Sequence, residues 1–491
     1  DILDQTSSFR VAESNIKQAG LADIVIRPQV HDISALSFGQ NDTLMARGEK
    51  AALENLDDIR KLVDRRISLK RPSIKIPEEV NVVAFEIGGC LHKEEKFVNN
   101  LLQIQTPRVY KLDDIENRIK KLYGSDLIKL ASYRLLPEGD GYRLIITVVP
   151  QKGEFIKVSA NYDSRLKAGL LFNLTLRNRI FSGSKFSIDA KISENPALNI
   201  DYLAYTASRP NIGWHVSSKL HIYPGLSYID NKKDEQFRMR HFDMEANVFS
   251  ALNNKYLITG GIGIERYVKA EEFFDPENDD LRLDQAFLQA KFLRDTYDRL
   301  HFPKDGSRVL FEGKYAFARR LQLVESDTIS AIASDNSMLR LQASRVFPTS
   351  KRLVPVLSID AGYTQNVEND FLHQFYLGRS IPDEITHTEF MGLRYMEQPV
   401  SSYVMGGLKL QFEAAPDIFT SAVFNYARYN LKSLKVTDAG ITDEVLTEKG
   451  NLFGAGIELG WLTVIGPAIF TAEYNFEEKR TNYSLHLGYL F

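Results

Sequence analysis

The chain has one cysteine, Cys90, in 491 residues. That excludes an internal disulfide framework and leaves no basis for a Cys-rich metal site. It has no apolar run approaching the roughly eighteen residues of a membrane-spanning helix. It has no excess of one charge: 61 Lys and Arg stand against 64 Asp and Glu, a net of −3. The basic footprint of a nucleic-acid binder is therefore missing. Its 9 histidines form no HxH or HxxxH pair, so neither a metal nor a cofactor is expected. No Gly-x-Ser-x-Gly occurs anywhere, and with it goes the strained turn that presents a hydrolase serine. The chain starts at Asp1, without a methionine or an export signal. It reads as a processed or truncated product.

What is present is alternation. Aromatics are plentiful, with 22 Tyr and 29 Phe, yet mean hydropathy is slightly negative. In the last residues, Tyr483, Leu485, Leu487, Tyr489 and Phe491 share one face, with mostly small or polar residues between them. The same period of two runs through Leu170, Phe172, Leu174 and Leu176. It recurs through Phe453, Ala455, Ile457, Leu459 and Trp461, and through Phe470, Ala472, Tyr474 and Phe476. Such strands have one greasy face and one polar or small face. A membrane chain without a spanning helix must close its strands into a barrel, because every backbone group in lipid needs an internal partner.

Connection lengths point the same way. Sixteen candidate strands fall between Glu154 and Phe491. Alternate connections are short, as at 208–212, 253–255, 348–351, 414–417 and 464–467, with a longer one near 298–306. The other set includes long ones at 224–235, 322–334, 366–401 and 431–450. Short turns on one side and long loops on the other are expected of an outer-membrane barrel.

Three features resemble known families. The terminal alternation closing on Phe491 resembles the C-terminal signal of Gram-negative outer-membrane barrels. That resemblance implies recognition by the barrel-assembly machinery through Tyr489 and Phe491, and a lower yield of assembled barrel if Phe491 is deleted. The turn carrying Asp298, Phe302, Pro303 and Gly306 resembles the Asp…Phe-Pro-x-x-Gly turn of the BamA-like barrel superfamily. Asn178, Phe181 and Gly183 resemble that superfamily's turn between the second and third strands. The longest loop lies where that superfamily folds a loop into the lumen. Its best match to the Arg-Gly-aromatic tip is Phe390, Met391, Gly392, Leu393 and Arg394, preceded by Gly378. Met391 stands where the Arg is expected, and Arg394 is out of register.

Upstream, the pattern changes. Residues 80–87 are strand-like, 94–102 and 112–122 carry helical spacing, and Gly124 is placed as a helix C-cap. Residues 132–136 and 142–149 form a hairpin. This β-α-α-β-β order directly before a barrel resembles a POTRA domain. Such a domain offers its strand edge to partners. Before it, Ala22, Asp23, Ile24, Val25, Ile26, Arg27 and Pro28 read as a buried strand. An N-cap at Asp42 and a helix with Arg47, Gly48, Glu49, Ala51 and Ala52 follow. That sequence resembles the end of bacterial patatin-like phospholipases, whose Ser-Asp dyad would precede Asp1.

The expected architecture is mainly β: a patatin-like α/β end over 1–70, one POTRA domain over 75–152 and a sixteen-stranded outer-membrane barrel over 153–491. By resemblance, the parent is an outer-membrane patatin-like lipid acyl hydrolase of the type V-like autotransporter kind, with its catalytic residues outside this chain. The alternative is a BamA-superfamily translocase or insertase, or a structural subunit of an envelope complex, without catalysis. Expected partners are outer-membrane lipids, the barrel-assembly machinery, and other envelope proteins or a second copy, with no nucleic acid. The expected location is the outer membrane of a Gram-negative bacterium, with the POTRA domain in the periplasm.

Overall fold

The structure is a computed structural model in which residues 19–30, 41–64, 78–151, 154–179, 181–205, 212–229, 232–252, 255–270, 279–323, 334–350, 352–365, 374–378, 386–437 and 440–489 are described. The chain divides into two units, 1–76 and 77–491.

In the first unit, α1 spans Asn41–Glu54 and α2 spans Leu56–Asp64. The helix starts one residue before the expected cap at Asp42. Asp57 and Asp58 in the first turn of α2 and Lys61 in the last complement the helix dipole. The segment expected as a buried strand is neither buried nor a strand. Residues 22–28 run without regular structure, and Val25 and Ile26 are exposed. Among the described residues no strand lies beside them, so their backbone has no ladder to join. Among the described residues of this unit the regular elements are helices alone.

The second unit begins with β1 (Glu79–Gly88), α3 (His92–Leu102), β2 (Arg108–Lys111), α4 (Leu112–Gly124), β3 (Ile128–Glu138) and β4 (Gly141–Pro150). They build a four-stranded sheet of order β2-β1-β4-β3. β1 and β4 run parallel, and the other neighbours run antiparallel. Alternate residues Val80 and Val82 of β1, and Leu144, Ile146 and Val148 of β4, meet Ile115, Ile119 and Leu122 of α4 in one core. Each such aliphatic side chain contributes roughly 1.5–3 kcal/mol on burial. The four-residue strand β2 is absent from the sequence reading because three of its positions are solvated and only Tyr110 is buried. Gly124 is the last helical residue rather than the cap. The left-handed residue is Asp126, at φ 56°.

The barrel runs from β5 (Glu154–Asp163) through β6 (Lys167–Arg177), β7 (Ser184–Ser193), β8 (Ala197–Tyr205), β9 (Ile212–Ile229), β10 (Lys232–Leu252), β11 (Tyr256–Ala270) and β12 (Asp279–Asp295). It continues through β13 (Ser307–Leu323), β14 (Asn336–Val346) and β15 (Leu353–Thr364). An insertion follows, with β16 (Phe375–Gly378), β17 (His387–Glu389) and β18 (Gln398–Val400). The wall resumes with β19 (Ser402–Ala415), β20 (Ile418–Thr437), β21 (Gly440–Thr463), β22 (Gly466–Asn475) and β23 (Arg480–Leu487). All sixteen wall strands are antiparallel to their neighbours and the sheet closes. The period of two decides which face is which. Ile156, Phe172, Trp214, Phe424, Ile457 and Trp461 stand exposed outside, whereas Asp243, Glu265, Arg340, Asp360 and Glu473 are buried inside. No described helix is long and apolar enough to cross a membrane, so the wall strands alone would span it.

Two expected loops are strand instead. Residues 224–229 and 232–235, and 431–437 and 440–450, belong to the hairpins β9–β10 and β20–β21, which pair on to Lys232↔Ile229 and Thr437↔Gly440. Their polar residues read as loop, but a ladder beyond the membrane needs no greasy face.

The small sheet module rests on the barrel's near end. The left-handed turn aims Asp126 at the wall: Arg177 donates to its backbone oxygen (Nε, 3.0 Å) and carboxylate (Nη2, 2.6 Å), and Lys185 adds a third contact at 3.3 Å. Phe97 of α3 packs against Gly183 in the β6–β7 turn and lies 6.5 Å from the Tyr205 ring.

Candidate functional site in the barrel lumen and at its seam

Three features occupy the barrel interior and its joint. The first is the insertion between β15 and β19. Its three short strands form a separate sheet of order β17-β16-β18. Phe375, Leu377, Phe390, Leu393 and Val400 pack there on Tyr403, Met405 and Leu452 of the wall. An apolar cluster inside a polar lumen holds the insertion against the wall.

The insertion's tip is Phe390, Met391, Gly392, Leu393 and Arg394. Gly392, at φ 90°, donates its N–H to Glu473 of β22 (3.1 Å), and its carbonyl accepts from Asn482 of β23 (2.8 Å). A Cβ there would lie 2.6 Å from the Tyr474 carbonyl, so only glycine permits this approach. Met391 donates to Asn425 (3.3 Å) and fits over Gly454 and Gly456 of β21. Gly378 accepts from Phe390 (2.9 Å). Arg394 does not take the place of the missing Arg. It forks onto Glu397 of its own loop (Nε 3.0 Å, Nη2 2.6 Å) and lies 4.4 Å over the Tyr228 ring. Glu397 then grips Arg480 of β23 at 2.8 and 2.7 Å. The loop thus supplies the carboxylate and a backbone donor, and the wall supplies the guanidinium.

A second anchor was not visible in the sequence. Arg340 of β14 donates to Asp360 of β15 (3.0 Å) and to Thr388 of β17 (2.9 Å). Tyr403 donates to the same Asp360 (2.8 Å). These groups are buried, and charge-assisted bonds of this kind are about twice as strong as neutral ones. The available signal was an Arg between Leu339 and Leu341, hence on the inner face.

The second feature is the β12–β13 turn at the near end. Asp298 caps it by accepting from the N–H groups of Lys304 (2.8 Å) and Asp305 (3.2 Å). Backbone donation outweighs the cost of burial and holds the Asp298 carboxyl below its ordinary range. Gly306 closes the turn at φ 102°. The turn reaches across to strands well around the wall. Phe302 stacks on Phe419 of β20 (centroids 4.5 Å, planes 3° apart) and sits where Gly460 of β21 has no side chain. Gln411 donates to the Pro303 carbonyl (3.2 Å), and Lys304 pairs with Glu413. His301 lies 6.1 Å from the Tyr489 ring.

The third feature is the seam. β22 and β23 pair continuously from Ala468↔Leu487 to Asn475↔Arg480. Between β23 and β5 the described ladder holds only His486↔Asp163 and Leu487↔Tyr162. Ser164 donates to the Leu485 carbonyl (2.9 Å) just above it. Below it the chain turns at Gly488 (φ 87°). Residues 154–160 of β5 consequently present one unpaired edge among the described residues. Tyr483 and Leu485 are exposed on the outer face and Leu487 is half-buried. Tyr489, expected on that same face, lies past the turn at Gly488 and beside His301 instead, because the period of two ends with β23 at Leu487. Phe491 lies outside the described residues.

A closed sixteen-stranded barrel, apolar outside and polar within, with a loop packed into its lumen, defines an outer-membrane β-barrel protein. A family model described as the OMP85 superfamily matches residues 142–491, and the chain belongs to that superfamily. Among solved structures its fold is similar to that of BamA from Haemophilus ducreyi lacking POTRA domains 1-3, at TM-score 0.57 and 12% identity over 83% of this chain and 84% of that one. CdiB from Acinetobacter baumannii is similar at TM-score 0.49 and 10% identity, covering 84% of this chain and 74% of that one. CdiB from Escherichia coli is similar at TM-score 0.45 and 11% identity, over 93% and 99%. No curated protein matches the chain.

Proposed function

We propose that the protein is a translocase or insertase of the outer membrane, which handles an unfolded envelope polypeptide at the β5–β23 seam. The observation that carries this reading is the two-pair ladder there among the described residues, against at least eight pairs between every other two neighbouring wall strands. An unpaired strand edge is a template for another strand, and the cost of opening so short a ladder is small. The β1–β4 module is read as a single POTRA domain in the periplasm. In this reading the lumen loop and the β12–β13 turn keep the pore closed while the seam works.

The test uses the full chain in liposomes with a urea-unfolded outer-membrane barrel as substrate. Folding of the substrate, read by heat-modifiable mobility, is expected to be faster than in protein-free liposomes. Tyr162→Cys with Leu487→Cys, a register pair, is expected to abolish the gain when oxidised and restore it when reduced. An oxidised variant as active as wild type would overturn the seam mechanism.

A second reading keeps the barrel as the anchor of a lipid acyl hydrolase. It is favoured only by α1, where the patatin-like Arg47, Gly48 and Glu49 do lie on a helix. Fluorophosphonate labelling of the protein from native membranes decides it. A labelled species well above 55.9 kDa supports an upstream hydrolase, and an unlabelled one removes this reading.

A further inference from the structure

The outer wall carries a groove away from the seam, on the strands whose inner face holds the Arg340 and Tyr403 anchor. Phe311, Leu341, Ala361, Val404 and Arg428 stand side by side on β13, β14, β15, β19 and β20, each the register partner of the next. One row further from the module, Leu339, Tyr363, Ser402 and Asn430 do the same. Together they line a groove of about 460 Å³. The rows face outward: Val404 is 60% exposed, whereas Ala427 and Tyr429, flanking Arg428, are buried. The hollow arises because Ala361 is short and Gly406, next along the outer face of β19, has open space around it.

The apolar band ends above this groove in cations. Asn430 pairs with Lys449 and Lys432 with Thr447, so Arg428, Lys432 and Lys449 all lie on the outer face. No carboxylate stands in these rows. Among the described residues, no side-chain hydrogen bond or ion pair is made by any of the three. Three cations with no counter-charge among the described residues, at the rim of a lipid-facing hollow, are complementary to phosphate above acyl chains. Their long stems can lie along the apolar surface while the charge reaches the headgroup layer. A water-facing basic patch would not need an apolar trough beneath it.

We propose that this groove is a binding site for a phosphorylated, multiply acylated glycolipid of the outer leaflet. One acyl chain would lie in the trough over Ala361, and phosphate would bridge Arg428, Lys432 and Lys449. The choice of leaflet rests on placing the module in the periplasm, since the cations lie at the opposite end of the barrel.

The probe is purified bisphosphorylated lipid A, added to the full-length protein in detergent and read by native mass spectrometry. Dephosphorylated lipid A and phosphatidylglycerol serve as competitors. The triple variant R428A/K432A/K449A is expected to bind the probe at least about tenfold more weakly, the loss expected for removing charge-assisted bonds. Ala361→Phe fills the trough, leaves the charges and keeps an apolar lipid-facing residue. It is expected to weaken binding too, and it tests the site if the triple variant fails to fold by heat-modifiable mobility. Wild-type affinity in a folded variant of either kind overturns the proposal, as does phosphatidylglycerol binding equally well. Labelling of Thr447→Cys on intact cells reports separately which end faces outward. A failure of the orientation is thereby distinguished from a failure of the site.

Discussion

Phe302 buries a phenyl ring at the mouth of a polar barrel, and it can do so because Gly460 on the facing strand has no side chain. The ring is stacked on Phe419 and lies 5.2 Å from the Lys409 ammonium, so it is held by aromatic and cation–π contacts together. Phe302→Ala should cost about 3–5 kcal/mol of local stability. It should make the 296–306 turn a site of proteolytic cutting. Gly460→Leu should give the same cutting by filling the socket from the other side. Gly406→Leu is the control, because its Cβ would meet open space. Equal resistance in all three variants to a protease that cuts at Lys304 would remove the turn's role as a closure.

At the scale of elements, the period of two made the wall legible, and loop polarity misled at its far end. Strands such as β21 and β22 were visible because lipid demands an apolar residue at every second position. Where β9, β10, β20 and β21 run past the membrane that demand ends, and 224–235 and 431–450 read as loops although their ladders continue. The lumen loop was legible by length and place. Its anchors were not, because Glu397 with Arg480 and Arg340 with Thr388 join residues far apart in sequence. The small face of β21 was legible as small. That Gly454 and Gly456 seat Met391, and Gly460 seats Phe302, needed the fold. The Glu397 side chain is 3% exposed and carries both Arg394 and Arg480. Removing one partner of a buried pair costs about 3–5 kcal/mol. Glu397→Gln should therefore loosen the tip from β23 and raise the conductance of the protein in planar bilayers. A conductance trace identical to wild type would mean that the apolar cluster, the Arg340–Thr388 anchor and the Gly392 backbone contacts hold the loop without Glu397.

For the whole molecule, the question is what fixes the sheet module on the barrel. The contact is small and polar at its centre: Asp126 between Arg177 and Lys185, with Phe97 against the β6–β7 turn at its side. Burial by itself would raise the Asp126 carboxyl, but the two cations more than offset it and leave the group below the ordinary aspartate range. A carboxyl held low in the docked state and ordinary in the free state binds more protons when undocked. Its contribution to docking is therefore complete above the ordinary aspartate pKa, near 4. It is lost as pH falls through the lower, docked value. The side chain is half exposed, so salt should screen the pair and shift the balance in the same direction as acid. Spin labels on α4 and on β7 should report one narrow distance at neutral pH and a broader distribution in acid. Asp126→Asn should show the broad distribution at both. If Asp126→Asn keeps the narrow distance at neutral pH, the packing of Phe97 on the turn is what holds the module. Phe97→Ala then becomes the variant expected to release it.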